Sequence, residues 1–146
     1  DYSKMVKGRH PIAAYEFLGP KLEGKDVILI DDMISSGKSI LEIASLLKKR
    51  GAGKIFICTT FGLFTEGMEK FDEAYQNGIF DKLLTTNLVY QTPELLSKPY
   101  YITCDMSKYI ALIIDTLNHD MSVSHLLNPA DRIKRCVSNY MAQYEK

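Results

Sequence analysis

A chain of 146 residues is long enough for one sizeable hydrophobic core. Its 18 basic residues balance 18 acidic ones, which leaves no argument for a nucleic-acid surface and requires any anion site to be local. At 46% apolar and 25% charged, without low-complexity runs, repeats or an apolar stretch near about 18 residues, the composition excludes disordered, solenoid and helical-membrane classes.

Cys58, Cys104 and Cys136 lie far apart, lack metal-ligand spacing and are odd in number. With no signal-peptide pattern, they predict a reduced, cytoplasmic setting rather than a disulfide framework. A sequence opening on Asp1 reads as a piece of something longer, or else as the product of processing or of an engineered end.

Residues 1–9 are polar, with Lys4, Lys7 and Arg9, and are expected to form an exposed basic arm whose charge is first of all a solvated surface. His10-Pro11 then opens IAAYEFLG, a segment whose periodicity leaves both a short helix and a strand open. A lone histidine before proline reads as a turn residue rather than an acid or base. Gly24 sets a turn before the central run.

Residues 26–30, DVILI, are rich in β-branched side chains and predict a strand buried on both faces of a parallel sheet. Asp31 and Asp32 follow at its carboxyl end, and Ser35, Ser36, Gly37, Lys38 and Ser39 form a small polar turn before a helical pattern. In open α/β sheets, that junction is where ligands bind. Glycine and serine let an anion approach the backbone, and a helix start presents unpaired N–H groups toward it. Its dipole contributes only roughly 0.3–1 kcal/mol. Charge-assisted hydrogen bonds from N–H groups, hydroxyls and Lys38 add about 1.5–3 kcal/mol each and dominate. Asp31 and Asp32 would repel a phosphate beside them, so they suit sugar hydroxyls or Mg²⁺, which commonly takes one or two carboxylates plus substrate oxygens. Adjacent strand residues face opposite ways, so only one of the pair faces a given point unless the strand has ended. Phosphate at one end and hydroxyls at the other describe a sugar phosphate. The plainer reading is also open: Ser39 with Glu42 is a capping-box pattern, and acids after a strand serve as turn residues.

Ile40, Ile43, Ala44, Leu46 and Leu47 continue as a helical stripe, stopped by Lys48, Lys49, Arg50 and Gly51. A strand at 55–60 completes a right-handed βαβ unit with parallel strands. Thr65 and Gly67 lead to a helix near 68–75, and Asn77-Gly78 marks a turn. A strand at 82–86, a loop at 91–99 punctuated by Pro93 and Pro99, a strand at 100–104 and a helix at 107–118 follow. Residues 122–127 are expected as a closing strand. Asn128-Pro129 starts a terminal helix whose stripe of Ile133, Val137, Tyr140, Met141 and Tyr144 suits a core or subunit contact rather than a ligand box. His119 and His125 read as structural.

The stretch DVILIDDMISSGKSI resembles the phosphoribosyl-pyrophosphate-binding motif of the type I phosphoribosyltransferase fold. With GRHPIAAYEFLG upstream and LLTTN and MSVSHLLNP downstream, the chain from Gly8 to about Pro129 resembles the C-terminal part of the ribose-phosphate pyrophosphokinase family. The resemblance implies a Rossmann-like α/β fold, a parallel sheet with helices on both faces, forming one domain over 10–146 behind the arm. It favours a strand for IAAYEFLG and implies that a basic catalytic arm lies just upstream, mostly in a missing N-terminal portion.

It further implies transfer of pyrophosphate from ATP to ribose 5-phosphate for nucleotide biosynthesis, with Mg²⁺ as cofactor and homo-oligomeric assembly. By the same resemblance, Asp31, Asp32 and the Ser35, Ser36, Gly37, Lys38, Ser39 loop are expected to bind substrate, with Thr85, Thr86 and Asn87 lesser candidates at the active-site edge. Two loop positions depart from the family. Ser35 stands where an acid is usual, weakening the hold on the ribose hydroxyl near the reacting carbon. Lys38 replaces a small residue, and either helps hold the phosphate or fills the substrate's space.

Other readings compete. A receiver-domain acidic pocket lacks its phospho-accepting aspartate, since Asp81 precedes its strand and Asp105 is distant. A nucleotide P-loop would need glycine at Asp32. A non-catalytic synthetase-like subunit for assembly or ligand sensing, and a salvage phosphoribosyltransferase, stay open because fold alone does not fix function.

Overall fold

The computed structural model describes residue 19 and residues 21–144. The expected basic arm, the strand in IAAYEFLG and His10 lie outside the described residues, as does the side chain of His125. Contacts divide the chain into two compact units, one ending at Cys104 and one beginning at Asp105.

The first unit is an α/β layer, as expected, built on a four-stranded parallel sheet ordered β1-β2-β3-β4. These strands are β1 (Val27–Ile34), β2 (Ile55–Gly62), β3 (Lys82–Thr86) and β4 (Tyr101–Cys104), joined through helices α1 (Lys38–Lys49), α2 (Glu69–Gln76) and α3 (Pro93–Leu96). Ile40, Ala44 and Leu47 of α1 and Phe71 of α2 bury in one core with Ile55, Ile57 and Leu83 of the sheet. Helices α1 and α2 thus pack on the sheet face that carries those three residues, as same-handed crossovers require. Phe71, Phe80 and Tyr100 are the largest core side chains, stacked edge to face at 6.4 and 5.3 Å between centroids. The Asp72 carboxylate accepts from Lys98 Nζ and from the Tyr100 hydroxyl, both at 2.7 Å, tying α2 to the approach to β4.

Several local expectations are corrected by these elements. β1 continues past Ile30, because Asp31, Met33 and Ile34 pair in the ladder with Thr59, Phe61 and Gly62. Asp31 and Asp32 therefore sit inside the strand, which tolerates carboxylates because they are solvated. β1 is not buried on both faces either: Val27 and Leu29 are half-buried, but Ile28 and Ile30 are 64% and 82% exposed. The capping box fails because α1 begins at Lys38, with Gly37 as N-cap, so Glu42 falls beyond the first turn. The expected loop at 91–99 contains α3, started by Thr92 Oγ1 accepting from Leu95 N–H at 3.1 Å with Pro93 in the first turn.

The second unit comprises α4 (Ser107–Asn118), α5 (Ser124–Leu127) and α6 (Ala130–Tyr144). α4 has its expected bounds, whereas the expected strand at 122–127 is the helical turn α5. The Leu126 carbonyl accepts from Tyr109 Oη at 2.7 Å and Arg132 Nη2 at 2.9 Å, with the guanidinium 4.8 Å from the Tyr109 ring centroid. Asn128 Oδ1 accepts from Ala130 N–H at 3.1 Å at the start of α6. The apolar stripe of α6 is exposed from Ile133 to Tyr144, so it is not core among the described residues. Among the described residues no helix is long and apolar enough to cross a membrane.

Candidate functional site

The loop between β1 and α1 is shaped by an aromatic ring from the next crossover. Gly37 has φ 76°, in the left-handed region, and a Cβ placed there would lie 2.3 Å from Phe71 Cζ. Only glycine satisfies both demands without displacing the ring. Phe71 is fully buried, and Phe64 packs edge-on against it at 5.3 Å. A second brace comes from the chain after β2. Leu63 N–H donates to the Ile34 carbonyl at 2.8 Å and Thr65 N–H to the Ser35 carbonyl at 3.0 Å. The Ser35 and Thr65 hydroxyls are 3.1 Å apart.

The braced loop borders a cleft of about 180 Å³ lined by Asp31 and residues 33–40. That is well below the several hundred Å³ of a typical drug-sized site and suits a compact anion. The first turn of α1 has neither a side-chain cap nor an acidic residue, leaving its positive end uncompensated. Lys38 N–H lies at a long 3.5 Å from Ser36 Oγ. The Lys38 side chain is 72% exposed and its Nζ stands 3.9 Å from Glu42, a surface pairing worth about 0–1 kcal/mol and readily exchanged for a stronger anion.

Of the residues singled out from the sequence, Asp31, Ser35, Ser36, Gly37, Lys38 and Ser39 all line this cleft, whereas Asp32 does not. The reason is the extended strand, which keeps neighbouring side chains on opposite faces. Asp31 Oδ1 accepts from the Asp32 N–H at 2.9 Å. No group of three or more metal-ligating side chains gathers among the described residues. Thr85 is buried and bonded to the Tyr101 hydroxyl, and Thr86 Oγ1 donates to the Thr60 carbonyl at 2.6 Å, so these two hydroxyls stitch the sheet. Asn87 N–H donates to the Cys104 carbonyl at 3.2 Å.

Sequence reasoning missed Thr65 and Phe71. Phe71 shares a helical stripe with Met68 and Tyr75, which signals burial but not the loop it supports. Thr65 is thirty residues from its partner and carries no local signal.

A family model described as phosphoribosyl synthetase-associated domain matches residues 4–128. Among curated relatives, the ribose-phosphate pyrophosphokinase of Vibrio parahaemolyticus is 26% identical over 107 residues, covering 73% of this chain and 33% of that protein. The one from Prochlorococcus marinus is 33% identical over 94 residues, covering 61% and 28%. The crystal structure of phosphoribosylpyrophosphate synthetase from Mycobacterium smegmatis matches with a TM-score of 0.61 at 22% identity, over 70% of this chain and 33% of that one, which shows a shared fold. The chain thus spans about a third of the length of the relatives it matches.

Proposed function

The chain belongs to the phosphoribosyl synthetase-associated family, and from that premise we propose that it is the ribose-5-phosphate-binding portion of a ribose-phosphate pyrophosphokinase. The observation that carries this reading is the cleft at the start of α1, where Asp31 and an uncapped, acid-free helix start meet within one compact space. The N–H groups and hydroxyls of Ser36 and Ser39, with Lys38, hold the 5-phosphate. Asp31 takes the ribose hydroxyls, and Asp32, on the other face of β1, contributes less. A single carboxylate on the cleft fits Mg²⁺ carried in with substrate oxygens, the ion's common mode, rather than a closed protein cage.

In the complete protein, the anomeric hydroxyl of ribose 5-phosphate attacks the β-phosphorus of ATP and releases its proton to water. The bond to the α,β-bridging oxygen breaks, and AMP leaves. What these residues supply is positioning and charge complementarity. The ATP site and the basic arm belong to the remainder of a longer, cytoplasmic, homo-oligomeric protein, so this chain by itself binds but does not turn over.

A second reading, a synthetase-like subunit for assembly or ligand sensing, is favoured by Ser35 at the acidic loop position and by the exposed apolar stripe of α6. Calorimetry with ribose 5-phosphate and Mg²⁺ separates the two. Heat at millimolar ligand supports the binding site, and its absence with folded protein supports assembly. AMP release from ATP by the full-length protein then tests the enzyme.

A further inference from the structure

Thr59 is 6% exposed, and its hydroxyl oxygen meets no hydrogen-bond partner among the described residues. A buried hydroxyl without a partner is costly, and valine would fill the same volume without that cost. Its neighbours in the sheet avoid the problem, since the hydroxyls of Thr85 and Thr86 are both engaged. What distinguishes Thr59 is its register. Across the β1–β2 ladder it is the partner of Asp31, and across the β2–β3 ladder the partner of Thr85. Register partners project to the same face of a sheet, about 5 Å apart. Thr59 therefore stands between a threonine already committed to Tyr101 and the one carboxylate of the pair that lines the cleft. One oxygen of that carboxylate is tied to its own strand through the Asp32 N–H.

We propose that Thr59 is a positioning residue for the cleft, donating its hydroxyl proton to the Asp31 carboxylate when a sugar phosphate with its divalent cation is bound. The inference rests on the ribose 5-phosphate reading above. In the free protein Asp31 leans on the backbone and leaves the hydroxyl without that acceptor. With ligand present, the carboxylate turns toward it and the hydroxyl holds the chosen rotamer, reducing the freedom Asp31 loses on binding.

The test uses Thr59→Val and Thr59→Ser in the whole chain, with thermal unfolding of the free protein and calorimetry with ribose 5-phosphate plus MgCl₂. Thr59→Val is expected to unfold at the same or a higher temperature without ligand, yet bind about fivefold more weakly or worse, the loss of roughly one hydrogen bond. Thr59→Ser is expected to stay within about twofold of wild type. On an Asp31→Ala background, which removes the acceptor altogether, Thr59→Val is expected to cause no further loss. Wild-type affinity in Thr59→Val, a loss that adds to that of Asp31→Ala, failure of serine to rescue, or marked destabilisation of the free valine variant each overturns the proposal. A wild-type chain that gives no heat overturns the ribose 5-phosphate reading with it. A binding wild type matched by Thr59→Val overturns this inference alone.

Discussion

Replacing Gly37 by alanine adds one methyl group at the point where the loop rests on the Phe71 ring. Two costs follow. The backbone has φ 76°, where an L side chain costs about 1–2 kcal/mol. The new Cβ would stand 2.3 Å from Cζ and 2.4 Å from Cε2 of a ring held by Phe64 and Phe80, an overpacking worth about 1–3 kcal/mol. Together they predict a loss of roughly 2–5 kcal/mol, and at about 4 °C per kcal/mol a fall in Tm of roughly 8–20 °C. Urea denaturation and scanning calorimetry measure it directly. The two costs separate in a double-mutant cycle, because Phe71→Leu relieves the collision but not the backbone strain. Gly37→Ala with Phe71→Leu should therefore be less destabilised than the sum of the single changes by about 1–2 kcal/mol. Strict additivity, or Gly37→Ala within about 0.5 kcal/mol of wild type, would refute the view that the ring shapes the loop.

Asp31→Asn is expected to weaken ribose 5-phosphate binding in the presence of Mg²⁺ by about tenfold, and Asp32→Asn by less than about twofold, as read by calorimetry. Equal losses would contradict the opposite placement of the two side chains. Lys38→Ala should weaken binding by about threefold to tenfold, and more so at low salt, while a gain would mean that the side chain obstructs the substrate. Stability is also expected to depend on pH through Asp72 and Tyr100. Burial pushes the Asp72 carboxyl upward, but hydrogen bonds from Lys98 and Tyr100 outweigh it and hold the group below its ordinary 3.8. Its contribution to stability is complete above that value and lost as pH falls through the folded value. Burial first, and then the bond to Asp72, push the Tyr100 phenol above its ordinary 10.0, so its contribution is complete below that value and lost as pH rises beyond it. Tyr100→Phe should cost about 1–3 kcal/mol at neutral pH and flatten the alkaline limb of a stability-against-pH curve. An unchanged alkaline limb would show that the phenol does not carry it.

Where one signal dominated, the sequence was legible. β3 and α4 appear at their expected bounds, the first as a short run set off by the Asn77-Gly78 turn and the second because its helical stripe spoke alone. The end of β1 was hidden, because pairing with β2 is made by backbone groups and continues beneath Asp31 and Asp32 whatever their side chains prefer. Ser39 and Glu42 fitted a cap, but the earlier left-handed turn at Gly37 had already started the helix. Thr92-Pro93 was a readable helix start overlooked beside Pro99. Residues 122–127 carried apolar spacing short enough to suit either period. The loop residues of the candidate site stood in the sequence as a motif, whereas the choice between Asp31 and Asp32 depended on where the strand stopped.

The support that Phe71 gives to Gly37 also bears on the order in which the site is made. Every residue of the motif is synthesised within one short stretch, yet the surface against which it bends arrives only with α2, after β2 has been laid beside β1. A peptide holding β1, the bend and α1 would carry the recognisable signature and every lining residue, but not the ring and strand-end contacts that hold the bend. The cleft is lined by the first crossover alone, while the bend that gives it its shape rests on the second.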